Sequence, residues 1–258
     1  MADLTIPAYA HGGRFRPDPP AFHVIHSTEG PMSPGNAKAL AQWFARSPAS
    51  GGPGTSATDI YDPVDGVTML DEHTIPYHVG PVGNGLSTGS EHCGSVKLTR
   101  AQWLSDDGQA MLDHSAEHQA QRAIDRGWKL ADCRWLSLTE VAQRTVEGFC
   151  THNDVRLALG GTTHSDPGPN FPYSWFMGRI RYWFQVLTGA IDPEDDVAIS
   201  DEDADKIANA VVKKLSAGAG YATHTDIVTV LRGPSEPNSL DKLGATLGRI
   251  ETAVTPEA

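Results

Sequence analysis

The chain is predicted to be an α/β protein, a sheet covered by helices, because short β-branched apolar runs alternate along it with longer segments of helical apolar spacing. Phe22 to His26 (FHVIH) reads as a buried strand, whereas residues 173 to 187 place Trp175, Phe176, Ile180 and Phe184 on one side of a helix. Two capping-box signatures, TRAQ from Thr99 and SLTE from Ser137, mark helix starts between them.

Each element follows from local chemistry. The first strand ends on a histidine, and a strand end is a place where a side chain can meet a ligand. Ser33 and Pro34 then offer a cap and a first-turn proline, and Ala37, Leu40, Ala41, Phe44 and Ala45 follow at helical spacing, which predicts a helix to about Arg46. The Gly/Ser/Pro-rich stretch from Ser47 to Gly54 is a loop. Strand-like Ser56 to Tyr61, an Asp65-Gly66 turn and Val67 to Leu70 predict a hairpin. After Thr99, the residues Met111, Leu112, Ala116, Ala120 and Ile124 continue one long amphipathic pattern, and the second capping box opens a helical run from Val141 to Phe149. The helix over 173 to 187 stops at Gly189.

Past Ile191 the composition changes. Acidic runs from Asp192 to Asp196 and Asp201 to Asp205 read as a solvated linker and a helix start, so a domain boundary is placed near residue 190. That divides the chain into a main domain, 1–190, and a small helical C-terminal segment, 191–258. In the latter, Ile207, Val211 and Leu215 predict one short helix. Leu240, Leu243, Leu247, Ile250 and Val254 alternate at three and four, a stripe that either docks on the main domain or supports weak self-association.

Composition bounds the function. With 258 residues and 39% hydrophobic content the chain can bury one well-developed core and carry a small appendage. A formal net charge of -12 excludes binding that depends on neutralising phosphates, so nucleic acid is not an expected partner. The cysteines Cys93, Cys133 and Cys150 cannot all pair and form no CxxC, which suits a reducing cytoplasm. Residues 1 to 9 lack the basic start and apolar run of a signal peptide, and no stretch approaches the roughly 20 apolar residues of a membrane span. Membrane insertion is not expected.

Eleven histidines in an acidic chain invite a search for metal ligands. The densest region, THNDVRLALGGTTHSDPGPNF from Thr151 to Phe171, carries His152, Asp154, His164 and Asp166 around a Gly/Pro-rich loop. A hydrolytic zinc site uses three N or O ligands and leaves a position for water, so two ligands here need a third from elsewhere, which His26 can supply. No HExxH spacing chooses among them.

HVIHSTEG at His23 to Gly30, EHCG at Glu91 to Gly94, THND, and HSDPGPNFP at His164 to Pro172 together resemble the zinc-dependent N-acetylmuramoyl-L-alanine amidases, the family that includes phage endolysins and peptidoglycan recognition proteins. The likeness is to endolysin amidase domains of phages that infect actinobacteria, and spans roughly Phe22 to Leu187. It implies a central mixed β-sheet flanked by helices, and makes residues 1–190 a catalytic domain with Zn²⁺ as cofactor and bacterial cell-wall peptidoglycan as partner. It implies metal ligands at His26, His152 and Asp166, and an acid/base role for Glu91. His23 competes with His26, but three residues apart on a strand the two face opposite sides, so only one should reach the metal. Where the family often has a lysine that stabilises an oxyanion, this chain has His164, which implies activity that falls as pH rises through the histidine range. LDEHTIPYHVG, Leu70 to Gly80, resembles the family segment that ends in AWHAG and places His78 near the substrate cleft. Thr58 stands where relatives often carry histidine or tyrosine. Such an enzyme, made without a signal peptide, would reach the wall after the membrane is permeabilised.

Two other classes of function are open to the same residues. One is a module that grips muropeptides without cutting them; the other is a cysteine peptidase that uses Cys93 or Cys150 with a neighbouring histidine.

Overall fold

The computed structural model describes residues 2–15 and 20–192. Six strands form a mixed sheet: β1 (Ala2–Thr5), β3 (Phe22–Ser27), β4 (Asp59–Tyr61), β5 (Asp65–Thr68), β7 (Ser87–His92) and β8 (Gly148–Thr151). Their spatial order is β1-β5-β4-β7-β3-β8, and only the β4–β5 pair is antiparallel. A separate antiparallel pair joins β2 (His11–Arg14) to β6 (Thr74–Pro76). The helices are α1 (Asn36–Phe44), α2 (Arg100–Trp103), α3 (Asp106–Asp125), α4 (Leu138–Gln143), α5 (His152–Leu159) and α6 (Tyr173–Leu187). Residues 1–188 form one compact unit. The expected helices around Ile207 to Leu215 and Leu240 to Val254, and the acidic runs after residue 192, lie outside the described residues.

β3 is buried along its whole length between two parallel neighbours, which is why it reads as a continuous apolar run. Its alternation divides the core. Ile25 joins a cluster with Phe149, Trp103, Met111, Leu112, Phe176 and Ile180, where α3 packs against α6. Phe22 and Val24 face the other way, into a cluster with Val79, Leu136, Val141, Cys150 and Val155 under α4 and α5. Helices therefore cover both faces of the sheet.

Four boundaries differ from expectation. Ser33 does not cap α1. The helix starts after Gly35, and the buried Asp62 carboxylate accepts from the Ala37 N–H at 2.8 Å, a cap supplied by a distant loop. The hairpin turn is not Asp65-Gly66, because Tyr61 pairs with Gly66; Asp62 Oδ1 instead gathers the N–H groups of Val64 and Asp65 at 2.8 and 2.9 Å. The capping box at Thr99 forms, but its helix ends at Trp103, and Ser105 caps a second helix by accepting from Gly108 N–H. The helix after SLTE stops at Gln143, where Arg144 turns left-handed, so Phe149 belongs to β8 rather than to a helix.

A buried ionic network ties α3 to the sheet. Glu72 accepts hydrogen bonds from Arg122 and from Arg126, whose Nε lies at 2.7 Å, and Arg122 also reaches Asp59 Oδ1 at 2.5 Å. Burial works against the Glu72 charge, but the two guanidiniums outweigh it and hold the carboxyl below its usual value. Glu72→Ala would strand Arg126, whose side chain is 3% exposed, and is expected to destabilise the fold by roughly 3–5 kcal/mol at pH 7. Because the folded value is depressed, this contribution is complete above the unfolded carboxyl pKa of about 4.3 and disappears as pH falls through the folded value. In urea titrations the gap between wild type and variant should hold from neutral pH and narrow on acidification. A gap unchanged at the acid limit would assign Glu72 to packing.

Candidate metal centre

Three parallel strands, β7, β3 and β8, end at one edge of the sheet, where open α/β sheets form their clefts. His26 is the fifth residue of β3 and lies on the same face as Phe22 and Val24. Its register partner on β7 is Glu91, so both side chains emerge together. His23 points to the opposite face, where its ring meets Thr88 Oγ1 at 2.7 Å and Ser90 Oγ at 2.9 Å. At the end of β8, Thr151 forms a capping box with Asp154, which sets His152 as the first residue of α5 and occupies the Asp154 carboxylate. Asp166, in the loop before α6, closes the group; its carbonyl accepts from Asn153 N–H at 3.3 Å.

His26 Nδ1 lies 3.1 Å from Asp166 Oδ2, and His152 Nδ1 lies 3.2 Å from Asp166 Oδ1. The three donor atoms fall within 4.8 Å of one another, and all three residues are buried. The hydrogen-bond chain behind His26 fixes its tautomer. Ser87 Oγ donates to Gly83 O at 3.1 Å, so His78 Nε2 faces two acceptors, Ser87 O and Ser87 Oγ, each at 3.2 Å, and must carry a proton. Burial pushes the His78 imidazole well down, so its Nδ1 is a lone pair that accepts from His26 Nε2–H at 2.8 Å. Burial also lowers His26, against the pull of Asp166, so in its neutral form its Nδ1 is a lone pair as well. It faces a carboxylate oxygen. A cation between them would satisfy both atoms, and donors about 2.1 Å from one tetrahedral ion would stand about 3.4 Å apart, close to the 3.1 Å seen. The residues fit a metal ion.

The centre opens into a cavity of about 280 Å³ lined also by Glu29, Trp43, Tyr77, His78, Glu91 and His164. Glu91 Oε2 is buried there without a hydrogen-bond partner. Burial, with the charges of Asp166 and Glu29, pushes its carboxyl up to about 8. His164 stacks on His152 with ring centroids 5.0 Å apart, but its side chain is 67% exposed and its Nδ1 is 4.0 Å from Asp166, beyond hydrogen-bond reach. His78 lies beside His26 because Asn84 Oδ1 holds its backbone N–H at 3.1 Å and because Gly89 leaves room: a Cβ there would sit 2.3 Å from His78 Nδ1. Thr58 is spent inside the sheet, where Oγ1 accepts from Gly89 N–H at 3.1 Å.

Sequence reasoning missed Glu29, which holds an uncommon positive φ of 55° and binds Ser27 Oγ, Ser95 Oγ and Val96 N–H, tying the β3 exit to the loop after β7. It also missed Thr162, whose Oγ1 meets His152 Nε2 at 2.8 Å and so directs the ring. Cys93 and Cys150 are buried in the two core clusters, and burial pushes their thiols to about 12 and well above the usual value respectively. Among the described residues no helix is long and apolar enough to cross a membrane.

Neither a family model nor a curated protein matches this sequence. Among solved structures, the Staphylococcus aureus hydrolase AmiA in complex with its ligand superposes with a TM-score of 0.56 at 17% identity, over 75% of this chain and 88% of that one. The fold is shared. A point mutant of PlyL aligns at 10% identity over 70% of this chain and 99% of its own, with a TM-score of 0.47. A mutant endolysin from Bacillus subtilis aligns at 14% over the same two shares with a TM-score of 0.45.

Proposed function

We propose that this protein is a peptidoglycan hydrolase that cleaves the amide between N-acetylmuramic acid and L-alanine, with Zn²⁺ held by His26, His152 and Asp166. The observation that carries the reading is the buried convergence of His26, His152 and Asp166, with ligand atoms within 4.8 Å of one another, beside an unpartnered Glu91 oxygen in an open cavity. The fold shared with AmiA and the motifs HVIHSTEG, THND and HSDPGPNFP support the same assignment.

Bound zinc would supply a Lewis acid that polarises the carbonyl and lowers the pKa of water. The chain's own residues do the rest. His78 and Thr162 keep the two ligand imidazoles turned with Nδ1 toward Asp166. Glu91 accepts the proton of the attacking water at Oε2 and returns it to the departing amine nitrogen. His164, at the rim, swings to donate a hydrogen bond to the developing oxyanion. The buried thiols of Cys93 and Cys150 argue against a cysteine mechanism, since the thiolate is the nucleophile. Incubation with purified sacculi is expected to release stem peptides with free N-terminal alanine, and a chelator is expected to stop the release. Wall binding with no release would make the protein a binding module instead.

A further inference from the structure

A second group of metal-binding side chains lies at the β1 edge of the sheet. His114 and His118 are four residues apart on α3 and so share one helix face, with ring centroids 4.5 Å apart. Both turn Nε2 toward the same carboxylate oxygen, Asp3 Oδ1 on β1, at 2.9 and 3.4 Å. We propose that Asp3, His114 and His118 form a second transition-metal site, separate from the cleft, that clamps β1 to α3.

The separations suit a common ion, because donors about 2.1 Å from one metal stand about 3.0 Å apart in octahedral and about 3.4 Å apart in tetrahedral coordination. The surroundings select Nε2 on each ring. His118 Nδ1 lies 3.1 Å from the hydroxyl of the buried Tyr61, which also accepts from Gln119 Nε2–H at 3.4 Å, so Nε2 is the ring atom turned toward Asp3. His114 Nδ1 is buried without a partner, so Nε2 is its one polar outlet. The sheet makes space for this ring. Gly66 is the register partner of Asp3 on β5, and a Cβ there would come 2.8 Å from His114 Cε1. Two imidazoles and one carboxylate suit Zn²⁺, Co²⁺, Ni²⁺ or Cu²⁺, with the remaining positions left to water on the Asp3 side, where the carboxylate is 67% exposed.

The test is zinc content after equilibrium dialysis of the full chain against micromolar free Zn²⁺. Wild type is expected to hold one equivalent more than Asp3→Ala, His114→Ala or His118→Ala. The exposure of Asp3 makes Asp3→Ala a change outside the core, so its count is read on folded protein. Only the difference from wild type matters, so the result stands whether or not His26, His152 and Asp166 take zinc. Zinc should also slow amide exchange across β1 in wild type and not in Asp3→Ala. Equal zinc counts for wild type and Asp3→Ala would overturn the proposal and leave the three residues as a hydrogen-bonded cluster.

Discussion

Asp166→Ala, His26→Ala and His152→Ala are each expected to lose one equivalent of zinc relative to wild type and to reduce peptidoglycan hydrolysis by more than about 100-fold, since loss of an outer partner of a metal ligand alone costs roughly 10–100-fold. The expectation follows from how few donors there are. Two imidazoles and one carboxylate are the buried side chains that converge at the cleft, and a hydrolytic zinc site needs three protein donors with one position open. Asp166 should be the most sensitive, because its two oxygens face both histidines, at 3.1 and 3.2 Å. Asp166→Asn keeps the shape and the Ser27 N–H contact but removes the negative charge that would favour a bound cation. It should therefore retain the circular-dichroism spectrum and still lose zinc. Full zinc content in any of the three variants at the cleft would remove that residue from the ligand set.

Glu91→Gln is expected to lower kcat by about 10²–10⁴-fold, the range of a lost general acid/base, with zinc content unchanged. The glutamine fills the same space beside His26 but cannot take a proton. A stability measurement separates this from misfolding. Burial and the charges of Asp166 and Glu29 raise the folded carboxyl to about 8, so in metal-free protein the charged form is disfavoured relative to the unfolded chain. A raised carboxyl pKa costs stability at every pH above its unfolded value, and the cost grows until pH passes the folded one. Metal-free Glu91→Gln should therefore be more stable than metal-free wild type at pH 7, a gain in stability at the expense of activity. Wild-type rates in Glu91→Gln would leave proton transfer to another group.

Much of this architecture is legible in the order of the residues, because it depends on neighbours in the chain. The continuous apolar run of FHVIH, the capping boxes at Thr99 and Ser137, and the apolar stripe of residues 173 to 187 each specify their element locally, and α6 has the bounds that the stripe predicts. Period-two alternation is enough to send His23 and His26 to opposite faces. At two boundaries where expectation and structure part, a distant group intervenes: Asp62 caps α1 from another loop, and the chain after Gln143 leaves its helix to pair with β3.

The candidate site shows the same division. Residue order is enough to say which side chains able to bind a metal occur at a strand end and in the Gly/Pro-rich loop. It took the folded chain to bring Glu91, His26 and His152 to one edge at the parallel ends of β7, β3 and β8, to set His78 as the hydrogen-bond acceptor behind His26, and to leave Glu91 Oε2 buried without a partner. Spacing along a chain carries no record of strand order, and a histidine tautomer is set by acceptors that lie tens of residues away.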